Sequence, residues 1–106
     1  MPGAAAALEQ NYMNLQKQLA MLDDNCDPKQ RKVLVDQVAA ARRAYLSCTG
    51  KIFQDNDPQV ANLTQQLEDA NQKLSASAQQ LGNLSATLDQ VTQAVETAAS
   101  LAKLAV

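Results

Sequence analysis

Apolar residues recur along this chain at alternating spacings of three and four, the period of a helix that buries one stripe. The first series is Ala5, Leu8, Tyr12, Leu15, Leu19 and Leu22, and the second is Leu34, Val38, Ala41, Tyr45, Cys48 and Ile52. A third series runs Val60, Leu63, Leu67, Ala70, Leu74, Ser77, Leu81, Leu84, Leu88, Val91, Val95, Ala98, Ala102 and Ala105 without a slip in register. Two segments interrupt the pattern, Asp24-Asn25-Cys26-Asp27-Pro28 and Asp55-Asn56-Asp57-Pro58. Each places Asp where it caps a helix and Pro at the first helical position, where a missing N–H costs nothing. Gln30, three residues after Asp27, completes a capping box. The pattern predicts helices near 4–23, 28–54 and 58–105 within one domain spanning 1–106.

The fold class is therefore all-α: an antiparallel bundle or coiled coil of three helices with a long C-terminal helix. Ala70 and Ser77 thin the seam of the third helix, and its flanks (Gln59, Gln66, Lys73, Gln80, Thr87 on one side; Thr64, Asn71, Ala78, Ser85, Thr92 on the other) carry almost no charge. Ion pairs would then specify a two-stranded zipper poorly, whereas a bundle covers such flanks.

The helix lengths do not match. A second helix running back antiparallel along the third reaches only to about Leu84. The stripe beyond it, with Val91, Val95, Ala98, Leu101 and Leu104, is the widest in the chain. One resolution is a continuous helix of about 70 Å whose end pairs with a partner. The alternative is an up-down four-helix bundle with a break near Gly82. The unbroken register across Gly82 favours continuity, since a mid-helix glycine costs only about 1 kcal/mol.

An apolar stripe without an intramolecular partner reads as an interface. Leu84, Leu88, Val91, Val95, Leu101 and Leu104 are the expected contact residues, engaged by self-association (a dimer or higher species) or by another helical protein. The implied function is a non-catalytic protein–protein interaction module: an adaptor, a chaperone-like subunit or an assembly subunit. The alternative is an inhibitor of the immunity or antitoxin type, occluding an enzyme through the basic second helix or the acidic turns. A third option, an amphipathic helix on a membrane surface, is disfavoured because only Lys103 lies near the stripe and no Trp or Phe belongs to it.

Composition narrows the chemistry. The chain has no His, which removes the commonest general base and metal ligand, and Gly3, Gly50 and Gly82 stand apart from any phosphate loop. Asp23, Asp24 and Asp27 lack the spacing, the central glycine and the closing Glu of a calcium loop, and fit helix capping instead. No enzymatic activity, cofactor, metal or small-molecule substrate is expected, since 106 residues leave little room for a deep cleft. A net charge of −2 gives no drive toward nucleic acid. Within it, Lys29, Arg31, Lys32, Arg42, Arg43 and Lys51 stand against a lone Asp36. The simplest reading is a solvated helix face, although the Arg42-Arg43 pair suits an acidic partner.

Cys26 and Cys48 would lie about 30 Å apart on a helix, too far for a disulfide, so two thiols in a reducing compartment are expected. Cys48 falls on the second stripe as a small core residue, and Cys26, in a turn, is the more accessible. No secretory signal or membrane span is visible, which makes the cytoplasm the expected location, with export independent of such a signal as the alternative.

Overall fold

The structure is a computed structural model and describes residues 3–22, 24, 26–54, 56–77 and 84–105. Four helices stand among these residues: α1 (Ala4–Leu22), α2 (Pro28–Ser47), α3 (Pro58–Ser77) and α4 (Leu84–Ala102). The all-α bundle expected from the sequence is observed.

The capping grammar works as its chemistry requires. Asp27 is extended at φ −72°, ψ 169°; its Oδ1 accepts from the Gln30 N–H at 2.8 Å, and Gln30 Oε1 accepts from the Asp27 N–H at 3.1 Å. The Asp57 carboxylate accepts from the Gln59 N–H at 2.8 Å at the start of α3. Asp27→Ala removes the acceptor for one otherwise unpaired amide, an expected loss of about 1 kcal/mol. A thermal melt followed by circular dichroism should record it as a drop of roughly 4–8 °C for a domain of this size.

Helix α2 stops at Ser47, not at residue 54 as the periodicity predicts. The Cys48 N–H turns back to the Tyr45 carbonyl and the Thr49 N–H to that of Leu46, tightening the last turn. Gly50 follows at φ +80°, a left-handed conformation that only glycine adopts without penalty. Residues 51–54 are irregular, and Ile52, expected in the second stripe, is 71% exposed. Helix α4 likewise ends at Ala102, short of residue 105.

Two apolar clusters define the packing. One gathers the start of α1 (Ala4, Ala7, Leu8), the end of α2 (Ala44, Cys48), the start of α3 (Val60, Leu67) and the end of α4 (Ala98, Leu101). The other gathers Leu15 of α1, Leu34 and Ala41 of α2, Leu74 of α3, and Leu88, Val91, Ala94 and Val95 of α4. Helices α1 and α3 therefore run one way and α2 and α4 the other. The closest pairings are α3 with α4, α1 with α2, α2 with α4 and α1 with α3, so the helices stand in the order α1–α2–α4–α3 around the bundle axis.

Two expectations change. The antiparallel partner of α3 is α4; α2 and α3 stand diagonally opposed, and the segment 48–57 crosses the end of the bundle between them. Ten residues span up to about 33 Å, ample for that crossing. A single third helix of about 70 Å is also not accommodated, because the molecule measures 41 × 21 × 16 Å. Folding α4 back on α3 buries the apolar stripe within the chain, as the four-helix alternative requires. Gly82, where that break was expected, lies with the rest of 78–83 outside the described residues.

Candidate interaction surface

The stripe that the sequence offers as an interface is core. Val91 and Leu101 are fully buried and Leu88 and Val95 nearly so, while Leu104 is half-buried against the first cluster. Leu84 opens α4, and its side chain lies outside the described residues. Helix α4 touches all three other helices, which explains why its apolar stripe is the widest. A helix with three neighbours buries Thr87, Ala94 and Leu101 on a second row besides Leu88, Val91, Val95 and Ala98.

Helix α2 is the opposite case. It fully buries only Leu34, Ala41 and Ala44, packs Val38, Ala40 and Tyr45 half-buried against the two clusters, and leaves a broad face outward. On that outer face Val35, Ala39 and Leu46, at positions i, i+4 and i+11, form an apolar line. Val35 is 42% and Leu46 47% exposed. Arg31 and Arg42, eleven apart, run along one side of the line, and Lys32 and Arg43, also eleven apart, along the other with Asp36 between them; all five are exposed. Among the described residues, three of the six exposed large hydrophobic side chains (Val33, Val35, Leu46) fall between Lys29 and Lys51. The same segment holds six of the nine cations. It carries +5, so a chain of net −2 carries −7 elsewhere. At the N-terminal end of the line an open recess of about 530 Å³ is lined by Cys26, Pro28, Arg31, Lys32 and Val35.

This surface escaped the heptad count, which follows only the residues that share the core stripe. The signal was present nonetheless. Val33, Leu34 and Val35 are consecutive, and three consecutive side chains of a helix cannot share one face, so at least one points away from the core.

The seam between the parallel helices α1 and α3 is polar. Asn11 Nδ2 donates to Asn71 Oδ1 at 3.2 Å, Asn71 Nδ2 to the Ala7 carbonyl at 3.2 Å, and Gln18 Nε2 to the Leu74 carbonyl at 2.9 Å. All three side chains are buried, and among the described residues none donates a hydrogen bond to Asn11 Oδ1 or Gln18 Oε1. An open cleft beside this seam is lined by Gln10, Asn14, Glu68, Asn71, Gln72 and Ser75.

Among the described residues no group of three or more His, Cys, Asp or Glu side chains is placed to hold a metal, and no helix is long and apolar enough to cross a membrane. The two cysteines are not joined: Cys48 is buried with its Sγ 3.8 Å from the Ala102 carbonyl, and Cys26 is half-buried beside the second cluster. No protein family, curated protein or solved structure matches this chain.

Proposed function

We propose that this chain is a non-catalytic helical interaction module of the adaptor, chaperone-like or assembly-subunit kind, and that it docks its partner on the outer face of α2. One observation carries the reading: the exposed apolar side chains Val35 and Leu46 share one face of α2 with Arg31, Lys32, Arg42 and Arg43, four of the nine cations of the chain. Scattered surface hydrophobics need no explanation, but a line of them framed by a net positive charge has the composition of a docking surface. The role that the sequence assigns to the C-terminal stripe passes to α2, because α4 is engaged by its own chain.

A photo-crosslinking residue at Ala39, in the full chain and in its native host, should capture one dominant protein partner. The same residue at exposed Ser75 of α3 should not. Val35→Asp with Leu46→Asp should abolish the capture while leaving the melting curve nearly unchanged, since exposed substitutions usually cost within about 0.5 kcal/mol. Equal crosslinking from both positions, or capture that survives the double variant, would remove α2 as the docking face.

A further inference from the structure

The two cationic rows of α2 say more about the occupant than the apolar line does. We infer that the outer face of α2 receives an acidic amphipathic α-helix of another protein, its apolar residues lying on Val35, Ala39 and Leu46 and its carboxylates between the cationic rows. This inference rests on the docking role proposed for α2 and adds the chemistry of the partner.

Three features select that occupant. Charge complementarity comes first: Arg31 and Arg42 flank one side of the apolar line, and Lys32 and Arg43, with Asp36 between them, flank the other, so the face is net positive and a complementary surface is apolar along its middle and edged mainly by carboxylates. Shape comes second. The line from Val35 to Leu46 runs about 17 Å along α2, roughly three helical turns, and is narrow, which matches a helix laid alongside it. Surroundings come third. A helix about 10 Å across meets α2 alone, whereas a flat anionic bilayer pressed on a bundle 16–21 Å across would also meet the neighbouring helices α1 and α4, on which Glu9, Asp89 and Glu96 are exposed. The apolar line also lacks the aromatic side chains that seat surface helices in lipid. The recess bounded by Cys26, Pro28 and Val35 gives one bulky apolar residue of the partner a place to insert, with Arg31 and Lys32 at its rim.

The test uses the full-length chain, isotope-labelled for amide NMR, and three probes. One is a helical peptide of about 20 residues with a leucine line flanked on both sides by Glu. Its twin carries Lys in place of every Glu, and the third probe is a phosphatidylcholine vesicle containing phosphatidylserine. The acidic peptide should shift amides of α2 from Lys29 to Ser47 and few others. Its affinity should fall roughly tenfold or more in Arg42→Glu with Arg43→Glu, and again when salt rises from about 0.05 to about 0.5 M. That variant changes exposed residues only, and an unchanged melt would establish that it folds.

Equal binding of both peptides, shifts on another face, or binding of the vesicle in preference to the acidic peptide would each overturn the inference. So would a concentration-dependent dimer held through α2, which would make a second copy the occupant. If crosslinking at Ala39 identified a partner whose binding ignored salt and both arginines, α2 would remain the docking face and only the acidic helix would be lost.

Discussion

Replacing Leu88 and Val95 together with glutamate is expected to unfold the chain, and not merely to part it from a partner. Both side chains are nearly buried, among Leu15, Leu34, Leu74, Val91 and Ala94. Each substitution removes an apolar side chain from that cluster and puts a carboxylate in its place. Removing the apolar atoms alone costs roughly 1–3 kcal/mol per site, and an unpaired buried charge adds several more. Against a total stability of about 5–15 kcal/mol, two such changes suffice to unfold a domain of this size. Circular dichroism should show the helical signal lost in water at ambient temperature, with no cooperative melt. If the double variant instead kept its helix content and melt, and only changed its mass in light scattering, α4 would be a free-standing stripe that pairs between chains. The four-helix core would then be wrong. The contrast with Val35→Asp and Leu46→Asp, equally drastic in chemistry and expected to be nearly silent in the melt, separates core from surface on one instrument.

Much of this architecture was legible because its causes are local. The Asp-Pro pairs start α2 and α3 through capping chemistry that involves only neighbouring residues. Leu8, Leu15, Leu34, Leu67 and Leu74 sit in the core where the three-four spacing puts them. What the spacing could not give was the number of neighbours each helix has. A heptad stripe looks the same whether it is covered from within the chain or by another molecule, so α4 read as an interface. The end of α2 was missed because the apolar series continues through Cys48 to Ile52, while the stop is written in the backbone at Gly50. Helix α1 was misregistered at its start: Ala4 and Ala7 are buried and Ala5 is exposed, since alanine carries little pattern of its own. Asn11, Gln18 and Asn71 were passed over because a search for apolar period skips buried amides.

Those amides carry the second large effect. Ala4, Asn11 and Gln18 are seven apart on α1, as Thr64 and Asn71 are on α3, so each set forms one row along the parallel seam. Replacing Asn71 with Leu strands the Asn11 amide, whose carbonyl has no donor among the described residues, and the expected cost is about 1–3 kcal/mol. Replacing Asn11 and Asn71 together removes both halves of the bond, and the expected change reverses: stability equal to the native chain or about 1–2 kcal/mol above it. The loss then falls on uniqueness. A buried Asn pair holds parallel helices in one register, because any slip leaves both amides without partners. In this bundle the pair joins the two hairpins, α1–α2 and α3–α4, so it also opposes the arrangement in which α2 lies beside α3, the neighbour that a shorter connection would choose. Denaturant titration should show the single variant weakened and the double variant at least as stable as the native chain. The amide NMR spectrum of the double variant should meanwhile show peak doubling or broadening along α1 and α3. A double variant with one sharp set of peaks and native contacts would mean that packing alone fixes the order of the helices. In that case the cost of burying these amides would have no return in topology, and their place in the seam would need another cause.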